Sequence, residues 1–289
     1  MNNQDFRPTG IKLLPEAVKN LLIINGILFL ATQVLFRQGI DLNDILGLHY
    51  FAAEKFRVFQ IVTYMFMHGS FGHIALNMLA LWMFGSAVEN AWGSKRFLNY
   101  YLLCGLGAAV AHYAIVYYQM QPALQFVNDY IANPGVDKLQ TLVNSEAFRN
   151  FSSEDLATNY NTFTRNFNAL LQTNPQEAIS LSVDYMKQFK IDVYNAPNVV
   201  GASGAVMGLL LAFGMLYPNN LIYVYFVIPI KAKYFVIIYG ALELFSGIQN
   251  TAGDNVAHFA HLGGLVTGFI IIQIWNKAKR NRNPHDIYH

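Results

Sequence analysis

The chain reads as an all-α polytopic membrane protein, a bundle of six transmembrane helices with a helical extramembrane insertion between the third and the fourth. Three observations predict this. Hydrophobic residues fill 54% of the 289 positions and charged residues only 12%, against about 25% charged in a soluble domain. Six apolar runs approach the ~20 residues that a spanning helix requires. A polar stretch, Gln119–Asn198, separates the first three runs from the last three.

Taken in order, a polar segment of residues 1–19 leads into a first apolar run, Asn20–Phe36. That run lacks a small-residue cleavage site, so it is expected to stay as an anchor and not to be removed as a signal peptide. A short outer segment, Gln38–Met67, mixes aromatics with Glu54, Lys55 and Arg57, which suits interfacial helices. The second span, Gly69–Val88, is interrupted by polar residues, whereas the third, Phe97–Tyr118, is not. Within 119–198, Ala123–Ile131 and Glu177–Phe189 alternate at helical spacing, and Asn133-Pro134-Gly135 and Asn195-Ala196-Pro197 mark turns. The remaining spans are Gly201–Tyr217, Lys233–Gln249 and Val256–Trp275, followed by a basic tail over 277–289. The expected division is therefore 1–19, 20–118, 119–198, 199–276 and 277–289.

Charge sets the orientation and excludes several classes. Arg7, Lys12, Lys19, Lys95, Arg96, Lys231, Lys233, Lys277, Lys279, Arg280 and Arg282 lie on one side of the spans, whereas the short loops on the other side hold only Arg37, Lys55 and Arg57. The positive-inside rule then predicts cytoplasmic termini, with the starts of spans two, four and six at the outer face. A net charge of +2 without basic clustering argues against nucleic acid. The single Cys104 supplies neither a redox pair nor a Cys-rich zinc site. No HExxH motif occurs, and in the sequence no Cys or carboxylate completes a ligand set from His68, His73, His258 and His261, so neither metal nor cofactor is expected.

Polar residues inside spans are costly, so each is a functional hypothesis. His73 and Asn77 stand one helical turn apart and share a face. Ser203 falls among the first residues of span four, and His261 lies near the start of span six. At 1.5 Å per residue, Ser203 is ~3–5 Å, His261 ~7 Å and the His73/Asn77 pair within ~10 Å of the outer helix starts, so all four can share one layer. Gly204–Gly208 and Gly264–Gly268 have the small-xxx-small spacing that lets helices approach closely. A serine hydroxyl needs a base to become a nucleophile, and an imidazole suits that role. Backbone N–H groups at the start of span four, with His73 and Asn77, could stabilise an oxyanion. No acid is placed in sequence to orient His261; Asp254 is expected to be a loop or cap residue. The expectation is a Ser–His dyad. His258, one turn before His261, competes for the base role and is read as a polar lining residue. Glu243, in span five, is read either as bonded to a neighbouring helix or as part of substrate entry or water retention.

These residues resemble the rhomboid intramembrane serine proteases. The resemblance rests on His73-Ile-Ala-Leu-Asn77 as HxxxN, Gly201-Ala202-Ser203-Gly204 as GxSG, and Ala260-His261-Leu262-Gly263-Gly264-Leu265-Val266-Thr267-Gly268 as AHxxGxxxG, in that order and on matching helices. It covers roughly 20–118 and 199–276. It implies Ser203 as nucleophile, His261 as general base and then acid, and His73 and Asn77 as oxyanion stabilisers. It also implies a structural role for Glu89 and a gate role for span five. Phe56-Arg57 stands where the family's outer loop usually has Trp-Arg.

The expected function is an intramembrane serine endopeptidase that cuts transmembrane segments of other membrane proteins. The bilayer and those segments would be its partners, and a bacterial plasma membrane its default setting, with the site near the outer face. A catalytically silent, client-binding relative and a six-helix transporter are the alternatives. The transporter is disfavoured because neither an inverted repeat nor a carboxylate ring is visible.

Overall fold

The computed structural model describes residues 12–145, 154–224, 227–249 and 257–282. Asp254 and the end of the basic tail lie outside them. The chain forms two compact units: one of residues up to Gly47, Phe59–His112 and Val199 onward, the other of Leu48–Val58 and Tyr113–Asn198.

The first unit opens with α1 (Glu16–Phe36), whose first turn has no side-chain cap of its own. Glu89 supplies one from elsewhere in the chain: its carboxylate accepts from the N–H groups of Ala17 at 2.9 Å and Val18 at 2.8 Å. This satisfies donors that a helix start leaves unpaired, and puts negative charge at the positive end of the helix dipole. Further along, the Asn25 amide and the Thr32 hydroxyl donate to the carbonyls of Leu21 and Leu28, so both side-chain donors are satisfied within the helix, while Asn25 Oδ1 has no partner among the described residues. The opposite face stays bare, with Ile27 61% and Leu30 65% exposed, as a lipid-facing surface allows.

Short helices α2 (Leu42–Leu46), capped by Asp41, and α3 (Gln60–Thr63) follow. Span two is a composite. It comprises α4 (Phe71–Ala80), a π-helical turn (Leu81–Gly85) and α5 (Ser86–Trp92). Ser70 caps α4, its Oγ accepting from the His73 N–H at 3.2 Å. The third span belongs to α6 (Ser94–Ala132), which runs past the end of the apolar run at Tyr118 and carries Pro122.

The second unit contains the C-terminal part of α6 with α7 (Val136–Asn144), α8 (Glu154–Thr173) and α9 (Pro175–Asn195). It has its own apolar core, built around Met120, Val127, Leu139, Met186, Phe189 and Val193. Inside that core, the Tyr130 and Ser182 hydroxyls are 2.5 Å apart.

The first unit is completed by α10 (Ser203–Leu216), α11 (Ala232–Gln249) and α12 (His258–Arg282). A β-hairpin pairs Leu221 with Lys231 through Val224 with Ile228 between α10 and α11. Helix α10 is the central one, with nearly every residue from Gly204 to Ala212 buried. Four described helical segments are long and apolar enough to cross a membrane: Glu16–Phe36, Phe71–Trp92, Ser94–Ala132 and His258–Lys279. With the shorter α10 and with α11 they make up the six-helix core.

Candidate active site

The site starts at a bend that only glycine fits. Gly201 has φ +131°, and its N–H donates to the Tyr64 carbonyl at 2.9 Å. A Cβ there would stand 2.8 Å from the His73 ring and 3.6 Å from Ser203 Oγ. The missing side chain therefore leaves room for the imidazole beside the serine. After this bend Ser203 becomes the first residue of α10, and the first intrahelical bond in the α10 start runs from the Val206 N–H to the Ala202 carbonyl. The N–H groups of Ser203 to Ala205 precede that bond, so they lack intrahelical acceptors and point toward the helix mouth.

Helix α12 brings the imidazole. It can do so because small residues remove the side chains between the helices: a methyl on Gly264 would collide with the backbone of Gly204. Gly268, by contrast, faces Tyr100 and Cys104 of α6 rather than α10. With the helices this close, His261 Nε2 lies 2.7 Å from Ser203 Oγ.

The opposite edge of the His261 ring meets a carboxylate. His261 Nδ1 is 3.0 Å from Glu243 Oε2, although not in hydrogen-bond alignment. His258 Nδ1 is 2.6 Å from the same oxygen. This corrects the expectation that no acid stands beside His261, and that no carboxylate joins the histidines. Glu243 was visible as an ionisable residue in a span, but its partners are on another helix, 15 residues away for His258. The three donor atoms lie within 4.8 Å of one another, a set that could in principle hold a cation. Their separations are those of hydrogen bonds, and shorter than two ligands spread around a metal ion about 2.0–2.2 Å from each would adopt.

On the other side of the serine, the His73 ring packs against His68 at 5.0 Å between centroids. Burial pushes His68, in the loop before α4, down to about 4, with His73 adding in the same direction and the Phe66 backbone opposing. Asn77 is buried, and its Nδ2 has no partner among the described residues. A buried donor left unpaired is costly unless it serves a transient acceptor. Arg57, in the second unit, is turned to the carbonyls of Glu54 and Phe56 and braces its own loop. The site therefore combines a hydroxyl held by an imidazole, an unpaired amide donor and an open helix N-terminus. Chemically, that combination can activate an oxygen nucleophile and stabilise an oxyanion.

Comparison with known proteins shows the family. The Rhomboid domain model matches residues 55–127 and 178–277. The mitochondrial RHOMBOID-like protein 12 of Arabidopsis thaliana is 24% identical over 270 residues, 92% of this chain and 60% of that protein. An uncharacterized mitochondrial rhomboid protein of Schizosaccharomyces pombe is 23% identical over 281 residues, 88% of this chain and 63% of that protein. Rhomboid protease GluP of Bacillus subtilis (strain 168) is 41% identical over 54 residues, 19% of this chain and 11% of GluP. The chain thus spans about three-fifths of the length of the Arabidopsis thaliana and Schizosaccharomyces pombe relatives. With the domain match covering both halves of the helical core and the three motifs meeting in it, this polytopic membrane protein belongs to the rhomboid family.

Proposed function

We propose that the chain is an intramembrane serine endopeptidase that cleaves transmembrane segments of other membrane proteins. The observation that carries this reading is the 2.7 Å approach of Ser203 Oγ to His261 Nε2 at the start of a buried helix. Isolated serines in membrane helices bond to their own backbone or a neighbour. Here the hydroxyl is held by an imidazole from a second helix.

The reaction follows from the geometry. His261 Nε2 takes the Ser203 hydroxyl proton as Oγ bonds to the scissile carbonyl carbon, and the carbonyl oxygen gains the negative charge. His73, the Asn77 amide and the N–H groups at the α10 start are the donors available to it. Collapse of this intermediate breaks the C–N bond, and the imidazolium returns its proton to the leaving amine. Water, activated by the same imidazole, then releases the acyl group. A substrate helix must unwind locally, because a fully bonded helix hides its carbonyls.

The relatives' names do not support the bacterial plasma membrane expected from the sequence: the Arabidopsis thaliana and Schizosaccharomyces pombe proteins are both named as mitochondrial. In a bacterial or a mitochondrial membrane alike, the positive-inside rule applied to the Lys/Arg-rich flanks favours termini on the cytoplasmic or matrix side, with Ser203 toward the opposite face.

The test is cleavage of a single-span substrate in liposomes by wild type, Ser203→Ala and His261→Ala, with fluorophosphonate labelling of the serine. Cleavage and labelling are expected for wild type alone. Cleavage surviving in Ser203→Ala would refute the nucleophile. A wild type that neither cuts a panel of substrates nor reacts with the probe would point instead to a non-proteolytic client binder.

A further inference from the structure

The His261 ring has two nitrogens with different partners. Nε2 faces Ser203 Oγ at 2.7 Å and Nδ1 faces Glu243 Oε2 at 3.0 Å. An ionised carboxylate only accepts hydrogen bonds, so its presence at Nδ1 favours the tautomer that carries its proton there. That leaves a lone pair on Nε2, the form a base for Ser203 requires. A dyad by itself has nothing to choose between the two tautomers.

We propose that Glu243 is a positioning carboxylate that holds His261 in its base-competent tautomer and stabilises the imidazolium formed during acyl transfer. The proposal rests on the serine-endopeptidase reading and adds a third residue to it. Glu243 is 6% exposed in the middle of α11, where an unpaired carboxylate would be strongly disfavoured. Two imidazoles from α12 give it that pairing. His258, one turn before His261, meets the same Oε2 at 2.6 Å and so helps to fix the carboxylate. The 3.0 Å contact to His261 falls short of hydrogen-bond alignment, and catalytic hydrogen bonds are often poorly aligned until a site engages its substrate. Among the described residues, the charged and titratable groups around His261 are Glu243 from α11, His258 from α12 and His73 from α4, with the Ser203 hydroxyl from α10. Glu243 is the only anion among them, which makes it the group able to balance an imidazolium.

Neither backbone strain nor an unpaired apolar face is involved. Glu243 touches no reacting atom and acts only through His261. Its removal should therefore slow the chemical step and leave substrate capture alone. In the Ser-His-Asp template, replacing the carboxylate by its amide lowers kcat by about 10⁴-fold through the wrong tautomer.

The experiment uses full-length wild type, Glu243→Gln and Glu243→Asp in liposomes with a single-span substrate. Glu243→Gln should lower kcat by about 10²–10⁴-fold with KM changed less than about threefold, and Glu243→Asp should recover part of the loss. The wild-type protein supplies a check that does not depend on how any variant folds. With ¹⁵N-labelled histidine, assigned by loss of signal in His261→Ala, the His261 Nδ1 should give the signature of a protonated nitrogen and Nε2 that of an unprotonated one. Glu243→Gln within fivefold of wild-type kcat, or an Nε2-protonated resting tautomer, overturns the proposal. So does cleavage that a chelator abolishes and zinc restores, since the cluster would then be a cation site. If wild type neither cuts nor reacts with the fluorophosphonate, the endopeptidase reading fails, while the tautomer measurement still reports on Glu243 separately.

Discussion

Gly204 and Gly264 meet backbone to backbone where α10 and α12 cross, so closely that a methyl on Gly264 would overlap the Gly204 peptide. This contact sets the distance between the helices that carry Ser203 and His261. Gly264→Ala should therefore lower stability by about 1–3 kcal/mol through overpacking. It should also cost activity well beyond that loss, because displacement of about 1 Å at reacting groups costs on the order of 10²-fold. Thermal unfolding in detergent together with cleavage per folded molecule separates the two effects. Activity unchanged in a folded Gly264→Ala protein would show that the helix spacing is not set here.

Gly201 makes a narrower claim. Its φ of +131° is strained for any other residue, and the His73 ring occupies the space a Cβ would need. Gly201→Ala should reduce cleavage at least tenfold by moving His73 or the start of α10, with the helical content retained by circular dichroism. Replacing the proposed oxyanion donors tests the same region directly: Asn77→Ala should lower kcat by about 10²–10³-fold. Full activity in Asn77→Ala would leave the buried amide without a role.

Ser203, His261, His73 and Asn77 could be singled out from the sequence as candidates because each sits in a local pattern whose spacing indicates the face it occupies. Glu243 reads as bonded to a neighbouring helix, as it is, but which residues it meets was hidden for the opposite reason. Its partners His258 and His261 lie on the next helix, and helical periodicity on α11 carries no information about the rotation of α12. The limits of α6 escaped in part for a related reason. The apolar run stops at Tyr118, and hydropathy reads a boundary there. The backbone instead continues in helical register to Ala132, where Met120, Ala123, Leu124 and Val127 bury their side chains in the second unit's own core. The resemblance gave Glu89 a structural role, but not its target. The cap on α1 joins residues 71 and 72 positions apart.

That cap yields a stability prediction. Glu89 accepts from Ala17 and Val18 and from the Ser94 hydroxyl, and is 3% exposed. Charged hydrogen bonds of this kind contribute about 1.5–3 kcal/mol each, and leaving their donors unpaired is costly. Glu89→Ala should lower the thermal midpoint by several degrees more than Glu89→Gln, which keeps an acceptor oxygen. Equal midpoints for the two variants would mean that α1 does not depend on this carboxylate.

His68 predicts how stability follows pH. An imidazole titrates near 6.5 in an unfolded chain, and burial holds it at about 4 in the fold. Between those values the unfolded chain binds a proton that the folded chain does not. The stability contribution is therefore complete above pH 6.5 and is lost as pH falls toward 4. Thermal midpoints measured from pH 7.5 to 5 should decline, and His68→Gln should flatten that decline. An identical slope in the variant would assign the pH dependence to other groups.

In the second unit the proton order of one buried pair can be read from its neighbours. Ser182 Oγ lies 2.6 Å from the Ile179 carbonyl, to which only a hydroxyl proton can be donated. The Tyr130 hydroxyl, 2.5 Å from the same oxygen, must then donate to Ser182. Removing the donor and removing the acceptor are consequently different experiments. Tyr130→Phe leaves Ser182 bonded to Ile179 and should cost about 1 kcal/mol, whereas Ser182→Ala strands a buried tyrosine hydroxyl and should cost about 1–3 kcal/mol. The double variant has no stranded group, so its loss should fall short of the sum. Thermal unfolding of the four proteins in detergent supplies the cycle, and strict additivity would show that the two hydroxyls do not interact.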